Sequence, residues 1–229
     1  MSQPQAMPVP RPPDDPQSDL TTRLRDAITR GQLSPNERLV EADLAAAYGV
    51  NRANIRMALA MLDQEGLVVR ERHRGARVRA VSDTEAMEIA QTRLAIEVMI
   101  AGQAATRVTE TDRKTLRAII AQMRICIERG DLPAFSDANA ALHQEIHRIA
   151  DNQTARRILQ TLKSHIVRLQ YRVILLPGRP KTSLAEHRRI VDALCAGDRP
   201  AAEAAMRAHL TSFVKLLKDA IAAARSGGF

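Results

Sequence analysis

The sequence predicts a mainly α protein: an N-terminal domain of three helices and a β-hairpin, joined to an all-α antiparallel helical bundle. Three observations carry this. Apolar residues recur at three- and four-residue spacing through most of the chain, the signature of buried helix faces. Only the stretch 67–78 offers β-branched runs on either side of a turn. Aromatics are 2% of the residues and Trp is absent, while 45% are hydrophobic, so the core must be built from Leu, Ile, Val, Ala and Met. Such residues suit helix-on-helix packing.

Residues 1–17 include Pro4, Pro8, Pro10, Pro12, Pro13 and Pro16 and are too poor in apolar side chains to order themselves; they read as a disordered tail. The first domain then runs over 18–80. Leu20, Leu24, Ala27 and Ile28 recur at helical spacing and Gly31 stops them. Ser34-Pro35-Asn36 marks a turn. A short helix around Leu44, Ala45 and Tyr48 ends at Gly49. Asn51 caps the next helix, whose apolar face is Ile55, Ala58, Leu59 and Leu62. Gly66 ends it. Leu67-Val68-Val69 and Ala76-Arg77-Val78 then pair as a hairpin around Arg72-His73-Arg74-Gly75.

The polar face of the Asn51-capped helix begins with Asn51, Arg52, Asn54 and Arg56. Arg bonds guanine in bidentate fashion and Asn bonds adenine, and a recognition helix reads DNA with its N-terminal residues. The hairpin carries Arg70, Arg72, Arg74, Arg77 and Arg79 against the single acid Glu71, a tip suited to phosphates or a narrow minor groove. The net charge of +8 and a pI near 10.3 favour polyanionic partners through the same electrostatic term.

The remaining domain, 81–229, opens on Ser82-Asp83-Thr84-Glu85, a capping box. Helices follow over 111–129, 132–150, 154–174, 183–196 and 198–224, punctuated by Gly130, Asp151-Asn152, Pro177-Gly178 and Gly197-Asp198. Ser183-Leu184-Ala185-Glu186 reads as a second capping box. Cys126 and Cys195 sit far apart in apolar helical contexts and read as buried free thiols of a reducing cytosol. No apolar run of about 18 residues exists to span a membrane, and no signal pattern opens the chain.

Histidines suggest a use for the bundle. Asn139 and His143 are four apart and share a helix face, while His187 and His209 stand on the last two helices. Facing helices of a bundle can bring such groups onto one metal ion, and imidazoles suit zinc or nickel. His147 is also four from His143, so spacing alone does not choose between Asn139 and His147 as its neighbour. Arg93 can bind a carboxylate as a bidentate fork; it is equally placed to pair with Glu97 on its own helix face.

The stretch 28–78 resembles the winged helix-turn-helix of GntR-family regulators. Its matching residues are Ile28, Gly31, Leu33, Pro35, Leu39, Gly49-Val50-Asn51-Arg52, Ile55-Arg56, Ala58-Leu59, Leu62, Glu65-Gly66-Leu67-Val68, Arg74-Gly75 and Val78. Asn36 stands for the usual turn Gly, Asn51 for Ser or Thr, Met57 for Glu, and Ala42 where some relatives place a DNA-contacting Arg. From residue 83 to about 224 the chain resembles the FCD effector-binding domain of the FadR subfamily. The resemblance rests on Arg93 and Glu97, Asn139 and His143, Glu186-His187, Ile190, Ala193-Leu194, Gly197-Asp198, Ala202, Met206 and His209-Leu210, with Asn139 where Asp is commoner.

The resemblance implies DNA contacts by Asn51, Arg52, Asn54, Arg56, Arg74 and Gly75. It also implies a divalent zinc or nickel ion held by Asn139, His143, His187 and His209, and an effector carboxylate at Arg93. The expected protein is a cytoplasmic homodimer that binds a palindromic double-stranded operator. It acts as a repressor released by a small carboxylate, and is not an enzyme. Two alternatives stand beside this: a metal-dependent enzyme that carries a DNA-binding module, and a ligand-free dimeric DNA-binding protein.

Overall fold

The computed structural model describes residues 20–71 and 75–225. The Pro-rich tail and the hairpin residues Arg72, His73 and Arg74 lie outside the described residues. Between Ala80 and Val81 the chain divides into two compact units.

The first unit contains α1 (Leu20–Thr29), β1 (Arg38–Leu39), α2 (Glu41–Tyr48), α3 (Arg52–Gln64), β2 (Val68–Glu71) and β3 (Gly75–Val78). Leu24 and Ile28 of α1, Leu44 of α2, and Ile55, Leu59 and Leu62 of α3 are buried together with Leu39, Val68 and Val78 from the strands. Burial of these Leu, Ile and Val side chains contributes roughly 1.5–3 kcal/mol each to the compact state. The end of α3 is tied to α1 by an Arg25 fork on Glu65, with Nε–Oε2 at 2.8 Å and Nη2–Oε1 at 2.7 Å.

The hairpin aligns Val68 with Val78, Val69 with Arg77, Arg70 with Ala76 and Glu71 with Gly75. A third strand adds to the expected pair: β1 lies antiparallel to β3, with Leu39 opposite Ala76. Two residues are too short to show a strand's alternation, which is why the sequence pattern does not reveal it. Asn36 adopts φ +63° in the turn before β1. Asn tolerates this left-handed region better than most residues, so it replaces the familiar turn Gly without breaking the turn.

The second unit is all helix among the described residues. It comprises α4 (Asp83–Ala105), α5 (Glu110–Arg129), α6 (Leu132–Ala150), α7 (Gln153–Ile174), α8 (Arg179–Ala196) and α9 (Arg199–Arg225). Helix α4 is central, packing against α6, α7, α8 and α9. One apolar cluster joins Ile100, Ala101 and Ala104 of α4 to Leu142 and Ile146 of α6, Ile190 and Leu194 of α8, and Met206 of α9. A second joins Ile89 and Ala90 to Ile166, Val173, Phe213 and Leu217. Both cysteines are buried free thiols.

Local chemistry explains the helix ends. The Ser82 hydroxyl accepts the Glu85 N–H, starting α4. Thr109 and Asp112 form a reciprocal capping box at α5. The expected box at Ser183–Glu186 is corrected: α8 begins four residues earlier, at Arg179, after Gly178 at φ +76° and with Pro180 in its first turn. Proline is tolerated there because first-turn N–H groups have no helical partner. Ser183 is therefore interior, and its side chain turns to His187.

Candidate functional site

Two sites emerge, one in each unit. On the first, Asn51 Oδ1 accepts the Asn54 N–H at 2.8 Å and so sets the start of α3. Arg52, Asn54 and Arg56 point to solvent, while Ile55 and Leu59 point inward. Arg56 keeps a loose 3.7 Å contact with Glu41, and its side chain remains 60% exposed. An exposed pair of this kind holds the guanidinium weakly and leaves it available. Arg52 and Arg56 are one helical turn apart, so they share a face. Met57, at the position of the family's Glu, is 64% exposed on the same helix.

Gly75 opens β3 at φ +85°, and a Cβ there would stand 3.1 Å from the Leu39 carbonyl oxygen. Its glycine identity therefore follows from close packing on β1, whatever it also contacts. Arg74, beside it, lies outside the described residues.

In the second unit the donor nitrogens of His143, His187 and His209 all lie within 4.8 Å of one another, all three residues being buried. They come from α6, α8 and α9, and α4 supplies the floor. Each ring has its Nδ1 committed to an oxygen. His143 Nδ1 donates to Glu97 Oε2 at 3.2 Å, His187 Nδ1 to the Ser183 carbonyl at 2.7 Å, and His209 Nδ1 to Glu186 Oε2 at 2.7 Å. This fixes the Nδ1–H tautomer and leaves the Nε2 lone pairs for the centre. In those tautomers His143 Nε2 and His187 Nε2, 3.3 Å apart, turn lone pairs toward each other. Lone pairs so placed could both bind one cation. The separation also matches the roughly 3.3–3.4 Å between two imidazole nitrogens on a tetrahedral ion with bonds of about 2.0–2.1 Å.

The electrostatics agree. Burial, with His209 and His143 beside it, holds His187 well below the usual imidazole range, so it is neutral and able to ligate. Burial also lowers His143, against the upward pull of Glu97. Burial pushes the Glu97 carboxyl up, but the charges and hydrogen bonds of His143 and His147 outweigh it and hold the group well below the carboxylate range. Burial likewise raises Glu186, yet His209 and Arg179 hold it at about 2.

Asn139 lies half-buried one turn before His143 on α6. His147, the other neighbour that spacing allowed, turns its Nε2 to Glu97 Oε2 at 2.8 Å instead of to the three-His group. Arg93, 5% exposed, takes the intrahelical pairing: its Nη2 donates to Glu97 Oε1 at 3.1 Å. That bond uses one of its five N–H donors, and Nε and Nη1 are buried without an acceptor among the described residues.

Sequence reasoning missed the roles of Glu97 as acceptor for two histidines, Glu186 as partner of His209, and Arg179 and Ser183 behind them. Glu186 precedes His187, but neighbouring helical residues point about 100° apart, so it reaches a different histidine.

The model for bacterial regulatory proteins of the gntR family matches residues 16–78, and the FCD domain matches residues 88–212. The chain is 32% identical over 187 residues to the HTH-type transcriptional repressor RspR of Escherichia coli K12, with 82% of each chain covered. It is 30% identical over 223 residues to the putative L-lactate dehydrogenase operon regulatory protein of the same organism, covering 86% of this chain and 83% of the relative. Among solved structures, E. coli McbR/YncC aligns with a TM-score of 0.77 at 18% identity, over 88% of this chain and 96% of that one; this shows the shared fold alone. The relatives are regulators and not enzymes, which removes the metal-dependent-enzyme alternative. The exposed head of α3, the three-stranded wing and the helical unit that follows in the chain thus have one explanation: the chain belongs to the GntR family of DNA-binding transcriptional regulators and carries an FCD domain.

Proposed function

We propose that the protein is a cytoplasmic, homodimeric repressor whose hold on a palindromic operator is set by a small carboxylate bound beside a divalent ion in the helical unit. The observation that carries this is the convergence of three Nδ1-anchored histidines next to a buried arginine whose Nε and Nη1 have no partner among the described residues. His143, His187 and His209 would hold zinc or nickel, with Asn139 as a neutral oxygen donor. A bound ion of this kind supplies a Lewis-acidic centre with open positions for an acidic oxygen. Arg93 Nε and Nη1 lie on different edges of the guanidinium, and each can donate a charge-assisted hydrogen bond to an oxygen of a carboxylate ligand. Asn139 adds no charge where Asp would add one, so the pocket favours anions more strongly.

Arg52 and Arg56, with Asn51 and Asn54 beside them, would read the major groove, and Arg74 and Gly75 would approach from the wing. A dimer places two such heads about 34 Å apart, one per half-site. The carboxylate alters operator occupancy only by binding one dimer geometry more tightly than another. The name of RspR as a repressor supports the direction of the effect.

The test has three parts. Metal analysis of gently purified protein should find about one divalent ion per chain. A thermal-shift screen of organic acids should show stabilisation that needs the metal, and the stabilising acid should weaken operator binding. Metal-free protein with no acid response and full operator affinity would establish the ligand-free dimer instead.

A further inference from the structure

The two carboxylates behind the histidines are held differently. Glu186 is held through both of its oxygens: Arg179 Nη1 donates to Oε1 at 2.9 Å, Nη2 forms an ion-pair contact with Oε2 at 2.9 Å, and Arg179 is steadied by Ser212 at 3.2 Å. That carboxylate then has one histidine to orient, His209. Glu97 receives one N–H from Arg93, at Oε1. Its Oε2 must fix His143, and a carboxylate with a single arginine bond is free to pivot. The second anchor is His147, whose Nε2 donates to the same oxygen at 2.8 Å.

We propose that Glu97 and His147 are positioning residues of the metal centre, and not ligands: Glu97 sets the tautomer and ring angle of His143, and His147 holds Glu97 still. By doing so His147 relieves Arg93 of a second bond to the carboxylate, and leaves Arg93 Nε and Nη1 as donors for an anion. The substitution of one arginine bond by one histidine bond is what makes the Arg93 side of the site receptive and the Arg179 side closed. This inference rests on the metal centre proposed above.

The experiment is cobalt(II) binding to the full chain, read by competition with a chelating dye and by the visible absorption of the bound ion. Glu97→Gln should weaken cobalt binding by about 10–100-fold. An amide cannot accept from Arg93 on one side and from two imidazoles on the other, so one donor is left facing an N–H. His147→Ala should weaken binding by a smaller factor and His147→Gln, whose amide N–H can still reach Glu97, should restore it. The absorption spectrum of the loaded His147→Ala protein should match the wild type, because no nitrogen donor is lost. Should Glu97→Gln fail to fold, the His147 pair decides. Unchanged affinity in the folded variants, or a cobalt spectrum altered by His147→Ala, overturns the proposal while leaving the metal centre standing. A wild-type chain that takes up no cobalt overturns both.

Discussion

The two units place their working side chains in opposite environments. In the first unit Arg52, Asn54 and Arg56 stand in solvent on α3, and the core beneath them is Ile55, Leu59 and Leu62. The proposed DNA-reading residues and the core residues occupy opposite faces of one helix. In the second unit His143, His187, His209, Glu97 and Arg93 are themselves buried. A buried polar group must be partnered, so every one of these side chains needs an acceptor or donor behind it. Under the proposed reading, the first unit would tolerate changes at Arg52, Asn54 and Arg56 without refolding. The second has its site woven into its core, and an alteration at the site is also an alteration of packing.

The largest effect should expose that difference. His187→Ala removes a fully buried imidazole, the Ser183 bond and one arm of the three-His group. Loss of stable divalent metal binding is expected, together with a stability loss on the order of 2–4 kcal/mol by chemical denaturation of the metal-loaded protein. A variant that loses metal but keeps full stability would mean that the site is not part of the core in the way described.

Arg52→Ala is the counterpart in the first unit. It should weaken specific operator binding by about 1–3 kcal/mol and relax the base preference at one position, with no change in Tm. Operator affinity measured by titration at fixed salt, beside a melting curve, checks it. A fall in both together would break the separation of reading face from core. Arg56→Ala should behave in the same way, since its contact with Glu41 is loose.

Gly75→Ala sharpens the comparison at an intermediate size. The position combines φ +85° with a carbonyl oxygen 3.1 Å from where the Cβ would lie. A cost of about 1–2 kcal/mol is expected, confined to the first unit, because the left-handed region penalises a Cβ by about that much. Metal content should be unaffected.

The same contrast governs what the sequence revealed. Exposed function in the first unit came with local signals: Asn51 caps α3 three residues from Asn54, and the apolar stripe is opposite. Both are readable within one helical turn. The three histidines were recoverable through their spacing and family resemblance. Their supports were not, because Glu97 and His147 are 50 residues apart in sequence and meet only when α4 packs on α6. Local patterns also misled once. Ser183-x-x-Glu186 has the composition of a capping box, but Gly178 and Pro180 start the helix earlier, and both residues then serve the site. Strand β1 was hidden for a different reason: its two residues gain their pairing from β3, and a pairing of that kind leaves no periodicity.

The smallest expected effect tests how acid acts on the second unit, where Glu97, Asp112 and Glu186 are held below the usual carboxylate range. Asp112 is the cleanest of these because it lies away from the histidines. Burial raises it, but the Thr109 hydroxyl and N–H and the Arg148 guanidinium outweigh burial and lower it. A carboxyl with a lowered folded-state pKa binds fewer protons folded than unfolded. Its contribution is therefore complete above the unfolded value near pH 3.9 and is lost as pH falls through the folded value. Thr109→Ala removes the hydroxyl that accepts the Asp112 N–H and donates to its carboxylate. It should cost about 1 kcal/mol at pH 7, the usual price of a lost helix cap. The deficit should narrow as the medium is acidified below about pH 4, because protonation of Asp112 removes in the wild type the bond that the variant already lacks. Urea denaturation of both proteins across that range measures it. A deficit that stays constant to pH 2 would show that the charge on Asp112 has no part in the cap, and that acid acts on this unit through its other carboxylates.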